Sequence, residues 1–127
     1  MKVLLDTHIF IYYVNSDRIS KAIRNSILTA EQVLVSAITS WEVFMLVKHK
    51  FINLNQSPLS WYNLALLNFS FQEIAITSEV SLEAVNLDWE YRDPADRWII
   101  ASAIRNGAIL LTRDKKIINS GLVKTIN

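Results

Sequence analysis

The chain has 127 residues, of which 51% are hydrophobic and 20% are charged, and its net charge is +1. A chain of this size and apolar content can bury one hydrophobic core, so we expect one domain over residues 1–127 and exclude a disordered protein. No apolar run reaches the roughly 18 to 20 residues that span a bilayer, and Asp6 interrupts the N-terminal run too early for a signal peptide, so we expect a cytoplasmic protein that does not enter a membrane.

The first half of the chain contains two short apolar runs and three segments with helical spacing. A short apolar run between polar residues is typical of a buried strand, whereas apolar residues three and four positions apart are typical of a helix. The predicted elements are a strand over 2–5, the start of a helix within 8–14, a helix from 16 or 17 to about 29, a strand over 33–35 and a helix from 39 to about 50. The last begins with Thr39-Ser40-Trp41-Glu42, which has the form of a capping box.

The second half continues the alternation of strands and helices. The predicted elements are a helix over 58–69, a strand over 74–76, a helix capped by Ser78 and running to about 86, a loop over 87–93, a helix from 94 that Gly107 ends, a strand over 109–111 and a fifth strand over 122–124. Parallel neighbours need a crossover connection, which is usually helical. We therefore expect a three-layer α/β/α fold around a central parallel sheet of four to five strands.

The segment from Asp93 to Ala103 joins two carboxylates to the most apolar helical stretch of the chain. Asp93 can cap the helix, and Pro94 suits its first position because the missing amide hydrogen would be unpaired there anyway. Asp96 lies three residues after the cap, near the positive end of the helix dipole. Both carboxylates can be explained by helix structure, and for Asp93 the cap is the better explanation.

Four acidic residues are predicted to lie at the same edge of the sheet. Asp6 and Asp114 follow the first and fourth strands. Glu42 is expected in the first turn of the helix after the second strand, and Asp96 begins the helix that leads into the fourth. In such sheets the carboxyl ends of the strands face the starts of the helices, and ligands bind there. The topology therefore predicts that these four acids converge in one crevice.

Carboxylates gathered in one crevice repel one another, and one or two divalent cations are the natural compensation. The chain has no cysteine, so oxygen ligands favour Mg²⁺ or Mn²⁺ over Zn²⁺. Such ions bind phosphates and activate water, which predicts the hydrolysis of a phosphodiester. Basic residues around Asp96 and Asp114 would form a rim that suits a polyanion; they are Arg92, Arg97, Arg105, Arg113, Lys115 and Lys116.

Four segments together resemble PIN-domain proteins, most closely toxins of the VapC type. They are Val3 to Thr7, Val35 to Glu42, Asp93 to Ala103 and Leu110 to Asp114, in the family's order and spacing across essentially the whole chain. The resemblance implies a metal-dependent endoribonuclease that is blocked by a cognate antitoxin and is usually a homodimer. It also implies that the acidic ligands of Mg²⁺ or Mn²⁺ are Asp6, Glu42, Asp96 and Asp114, with Asp93 as an auxiliary acid or a cap.

Several other residues near these motifs have two interpretations. Thr7 and Thr112 could orient a carboxylate or a water molecule, although hydroxyls at strand ends often satisfy backbone groups. Glu42 is also explained as the last residue of a capping box. For an RNA substrate, the candidate basic contacts are Arg92, Arg97, Arg113 and Lys115.

Two other classes of protein remain as alternatives. A receiver-like signalling module also gathers acids at the carboxyl edge of a parallel sheet, but it would need an acidic pair near the first strand, and Asp6 has no acidic neighbour. A PIN-like domain that only binds a partner would keep the fold without the chemistry. The presence of all four acids argues against this second alternative.

Overall fold

The computed structural model describes residues 1–127 and contains five strands and seven helices. The strands are β1 (Lys2–Leu5), β2 (Gln32–Ser36), β3 (Gln72–Ile74), β4 (Ile109–Leu111) and β5 (Thr125–Ile126). The helices are α1 (Thr7–Val14), α2 (Lys21–Thr29), α3 (Ala37–Lys48), α4 (Pro58–Phe69), α5 (Ser78–Val85), α6 (Pro94–Asn106) and α7 (Lys115–Ser120). No helix has the length and apolar composition that crossing a bilayer requires.

The five strands form one parallel sheet in the order β3-β2-β1-β4-β5. The central strand β1 pairs with two neighbours, so that Leu4 lies opposite Leu34 on one side and Leu110 on the other. The chain builds outward from β1 first in one direction and then in the other, which places the topological switch point between β1 and β4. The predicted three-layer fold with a parallel sheet is confirmed, with five strands.

Alternate side chains of β1 enter two cores, one on each face of the sheet. Val3 and Leu5 pack into the larger core with side chains of α1, α2, α3 and α4. Leu4 packs on the other face with side chains of α6 and with Ile117 of α7. The outer side of α6 is covered by α5 around Ala101. Because β1 is buried on both faces, its carboxyl end is held in place by packing from both layers.

Two helices begin at other residues than predicted. The helix expected from Thr39 begins at Ala37, since the Ser36 hydroxyl accepts a hydrogen bond from the amide two residues later. The predicted capping box is therefore wrong. The helix expected from 16 or 17 begins at Lys21, with Ser20 as its cap. Neighbouring polar side chains compete for the same amides, so spacing located these starts only to within a few residues.

Other element boundaries also differ from the predicted ones. The edge strands lie at 72–74 and 125–126 instead of 74–76 and 122–124, because an edge strand extends only where its backbone meets its neighbour. The cap of α5 is Thr77 and not Ser78. The helix α7 was not predicted, although Asp114 caps it and Gly121 follows its end in a left-handed conformation.

Candidate active site

The carboxyl ends of the strands open into a cleft of about 510 Å³. Its walls are formed by Asp6, His8, Tyr12, Glu42, Asp93, Asp96, Arg113, Asp114 and Lys116. Apart from Arg113, which precedes the cap of α7, these residues belong to or cap four different helices, which all begin at the same edge of the sheet. The structure thus brings the four acids singled out in the sequence, together with Asp93, into one place.

Asp6 joins the ends of β1 and β4 at the switch point. Its amide donates a hydrogen bond to the carbonyl of Leu111 at 3.0 Å. Its carboxylate accepts one from the Thr7 amide at 2.8 Å and one from the Thr112 hydroxyl at 2.7 Å. Burial raises the pKa of Asp6 above its ordinary value, and the two hydrogen bonds to the carboxylate partly offset this rise.

Thr112 connects Asp6 to the segment that carries Asp114. Its hydroxyl donates to the Asp6 carboxylate and accepts a hydrogen bond from the Asp114 amide at 3.0 Å. The hydroxyl is fully buried, so both contacts are shielded from water. The two interpretations of this threonine are therefore both realised, since it orients a carboxylate and also satisfies a backbone amide.

Glu42 reaches the cleft from the second turn of α3, because the helix begins earlier than predicted. Side chains on a helix lean towards its N-terminus, which brings this carboxylate back to the sheet edge. The Thr7 hydroxyl donates to the Glu42 carboxylate, and the Thr39 hydroxyl lies 3.0 Å from that of Thr7. Burial, followed by the negative charges of Asp6 and the α6 acids, raises the pKa of Glu42 to about 7.

The two acids of α6 have different partners. Asp93 caps the helix, and its carboxylate accepts a hydrogen bond from the Ala95 amide at 3.0 Å. Asp96 lies in the first turn, with one carboxylate oxygen 3.7 Å from Nζ of Lys116. Burial, and then repulsion from Asp93 and Asp6, raises the pKa of Asp96 to about 6 despite this ammonium group. The cleft therefore carries more negative charge than its own basic residues neutralise.

The donor set of the cleft fits a hydrated hard cation. The side chains that would ligate an ion are carboxylates, and three of them have raised pKa values because they are buried close to one another. No three acidic or histidine side chains meet closely enough to form a ready-made metal cage. Mg²⁺ usually keeps several waters and binds one or two carboxylates together with substrate phosphates, so carboxylates spread around a wide cleft are compatible with it.

The predicted basic contacts lie in different environments. Arg113 lines the cleft, with its guanidinium carbon 5.7 Å from the ring centre of Tyr12. Arg92 and Lys115 are exposed and lie outside the cleft wall. The guanidinium of Arg97 instead donates to four backbone carbonyls, those of Ala84, Leu87, Trp89 and Tyr91. Arg97 thus holds a loop in place and does not face the cleft.

Two residues of the cleft wall were not assigned to the site from the sequence. His8 and Tyr12 lie four positions apart on one face of α1, with their ring centres 6.1 Å apart. His8 lies two positions after the Asp6 cap and Tyr12 lies one helical turn further on the same face. This spacing is a signal in the sequence that could have placed both residues near Asp6. Lys116, which was predicted in the basic rim, lies on the cleft wall and belongs to α7, a helix that the sequence pattern did not reveal.

A parallel α/β/α domain with a carboxylate cleft at the switch point of its sheet has the architecture of a PIN-like protein. The PIN domain family model matches residues 3–120, and the chain belongs to this family. It is 35% identical over 117 residues to Ribonuclease VapC22 of Mycobacterium tuberculosis, which corresponds to 91% of this chain and 88% of that protein.

Solved structures with the same fold include a toxin–antitoxin complex from Klebsiella pneumoniae and a member of the VapBC family of toxin–antitoxin systems from Mycobacterium tuberculosis. The chain is similar to a chain of VapBC2 from Rickettsia felis bound to a promoter DNA fragment, with a TM-score of 0.76 and 21% identity, covering 100% of this chain and 98% of that one. It is also similar to a chain of FitAcB from Neisseria gonorrhoeae, with a TM-score of 0.70 and 21% identity, covering 100% and 97% of the two chains. At these identities the likeness concerns the fold.

Proposed function

We propose that residues 1–127 form one nuclease domain, a metal-dependent endoribonuclease that is the toxin of a toxin–antitoxin pair. The observation that carries the proposal is the convergence of Asp6, Glu42, Asp96 and Asp114 in one cleft at the switch point of the sheet. The ribonuclease activity is supported by the 35% identity to a protein named as a ribonuclease. The toxin role is supported by the VapC name of that relative and by the fold shared with chains from a toxin–antitoxin complex and from a member of the VapBC family of toxin–antitoxin systems.

In this proposal the four acids hold one or two Mg²⁺ or Mn²⁺ ions, with Asp93 as an auxiliary acid. When bound, such an ion supplies Lewis-acid activation of water and positive charge for the phosphate. Thr112 keeps the Asp6 carboxylate in one orientation, and Thr7 does the same for Glu42. Each Asp6 oxygen accepts one hydrogen bond and keeps a further lone pair that could bind an ion, and Glu42 keeps a second oxygen without a threonine partner.

The RNA backbone is proposed to meet the basic side of the cleft. Arg113 lies on the cleft wall, and Lys115 is exposed on the adjoining first turn of α7. Arg92 is exposed one residue before the Asp93 cap and is a candidate for a flanking phosphate. Arg97 is left out of the proposed RNA-binding set because backbone carbonyls already occupy its guanidinium.

The proposed partners are an antitoxin chain and a second copy of this chain. Large apolar side chains remain exposed on several helices, which is typical of surfaces that partners cover; among them are Trp41, Leu59, Leu67, Leu82 and Val85. An enzyme that cleaves cellular RNA and is held by an antitoxin would meet both in the cytoplasm, which is the location we propose.

The proposal is tested by the cleavage of a pool of structured RNAs in Mn²⁺, Mg²⁺ or EDTA. We expect cleavage by the parent chain only with metal, and its loss in Asp96→Asn. A matched control is Asp17→Asn, which makes the same chemical change at an exposed position outside the cleft. Equal cleavage by Asp96→Asn and Asp17→Asn, with both variants folded, would contradict the assignment of the site.

The strand order distinguishes this fold from the receiver-like alternative. A receiver-like fold has the strand order 2-1-3-4-5, whereas this sheet has the order 3-2-1-4-5, so that alternative is excluded. A PIN-like domain that only binds a partner keeps one supporting observation, the absence of a preformed metal cage. If calorimetry detects no Mn²⁺ binding and no RNA is cut, the nuclease proposal is rejected in favour of a domain that only binds a partner.

A further inference from the structure

A second cavity of about 440 Å³ adjoins the acidic cleft. We call it the side cavity. Its wall is formed by Asp88, Trp89, Glu90, Tyr91, Lys115, Lys116, Asn119 and Ser120. Lys116 lines both cavities, with Nζ 3.7 Å from the Asp96 carboxylate and 5.2 Å from the ring centre of Tyr91. Lys116 therefore forms part of the wall of both the side cavity and the proposed reaction site.

One wall of the side cavity is an aromatic pair on the loop before α6. The rings of Trp89 and Tyr91 pack edge to face with their centres 5.1 Å apart, and Tyr91 is 38% exposed. The guanidinium of Arg97 binds the backbone carbonyls of both residues, and two further carbonyls of the preceding segment. Backbone contacts of this number restrict the loop, so the aromatic pair forms a fixed surface at low entropic cost to a ligand.

The polar residues of the side cavity are separated by charge. Lys115 and Lys116 lie on α7, while Asp88 and Glu90 lie on the opposite loop. A phosphate would be drawn to the lysines and repelled by the loop. The Asn119 amide, which also lies on α7, can donate a hydrogen bond to the phosphate, whereas the Asp88 and Glu90 carboxylates can accept hydrogen bonds from the amino and imino groups of a nucleobase. The charge pattern therefore fits a nucleotide with its phosphate towards α7 and its base towards the loop.

We propose that the side cavity binds an unpaired nucleobase next to the phosphate that lies in the acidic cleft, with Trp89 and Tyr91 as stacking residues. The inference rests on the proposed function and adds a position at which the RNA is recognised. Proteins that read single-stranded RNA commonly stack splayed bases on aromatic side chains and bind their polar edges. An apolar peptide is a poorer occupant, because only two of the eight wall residues are hydrophobic and four carry a charge.

The test uses two variants and two measurements. Tyr91→Leu removes the ring but keeps an apolar side chain, and Asn119→Ala changes an exposed residue of α7. The control is Phe69→Leu, which removes a ring of similar exposure, 39%, outside both cavities. Binding of a fluorescent eight-nucleotide RNA of mixed sequence is measured in EDTA, where no cleavage is expected, and cleavage of the RNA pool is measured in Mn²⁺.

Stacking on one base corresponds to about a 5- to 150-fold change in affinity, so we expect Tyr91→Leu to weaken RNA binding and to lower kcat/KM within this range. Asn119→Ala should weaken both in the same direction, and Phe69→Leu should leave both unchanged. If the parent binds RNA with this dependence on Tyr91 but never cleaves, the side cavity is supported and the nuclease proposal fails. If cleavage and binding are unchanged in both Tyr91→Leu and Asn119→Ala, the proposed nucleobase site is refuted while the nuclease proposal stands. The side cavity would then be a surface for a peptide partner.

Discussion

Replacing Glu42 by glutamine should stabilise the metal-free protein at alkaline pH while abolishing RNA cleavage. The carboxylate is held among other acids, and its pKa is raised to about 7 from an ordinary value of 4.5. The folded state therefore binds more protons than the unfolded state between these two pH values. The free energy of unfolding consequently falls as the pH rises through this window, and the full cost of the charged carboxylate is present above pH 7.

The size of the effect follows from the pKa shift. A difference of about 2.5 units corresponds to about 3 kcal/mol at 1.36 kcal/mol per unit. Because Glu42 is only partly buried, solvent screening reduces the expected gain to about 1–2 kcal/mol at pH 8. Glutamine has nearly the same shape, and its carbonyl oxygen can still accept the hydrogen bond from Thr7. Little change is therefore expected at pH 4, where the parent carboxyl is protonated.

The assay is urea unfolding of the parent and Glu42→Gln in EDTA at pH 4 and pH 8. The control is Glu90→Gln, since Glu90 is exposed and lies outside the acidic cleft. A variant that is less stable than the parent at pH 8, or equally altered at both pH values, would refute the electrostatic argument. Addition of Mn²⁺ at pH 8 should raise the stability of the parent more than that of Glu42→Gln, because the variant lacks one proposed ligand.

Three further substitutions test the contacts around the site. Thr112→Val removes the hydroxyl that links Asp6 to the Asp114 amide. We expect cleavage to slow about 10- to 100-fold and the free energy of unfolding in urea to fall by about 1–3 kcal/mol. Unchanged cleavage would contradict the positioning role of Thr112. Arg97→Met removes the hydrogen-bond donor of four backbone carbonyls. We expect the free energy of unfolding to fall by about 1–3 kcal/mol and new proteolytic cuts to occur within 87–93. Resistance to protease would count against a loop held by this side chain. Gly107→Ala should cost about 1 kcal/mol in thermal unfolding, because a Cβ at φ 61° is strained although nothing lies within 4 Å of it; an unchanged melting temperature would argue against the left-handed helix end.

Elements with strong local signals were predicted at their observed residues. Pro58 and Pro94 each occupy the first position of a helix, and Gly107 ends α6 as predicted, in a left-handed conformation. The buried strands over 2–5 and 109–111 also lie where their apolar runs placed them. In each case the information is contained in a few adjacent residues, so the conformation depends little on the rest of the chain.

The sequence alone determined the layer architecture and the edge at which the acids would gather, because strand and helix order dictates which ends face the same side of a parallel sheet. How each acid is held depends on contacts between elements that are distant in the chain. The distance between Thr112 and Asp6 depends on β1 and β4 being neighbours, although 106 positions separate these residues in the chain. Arg97 donates to backbone carbonyls, and Lys116 lines two cavities. Both contacts depend on packing between elements, which no local pattern encodes.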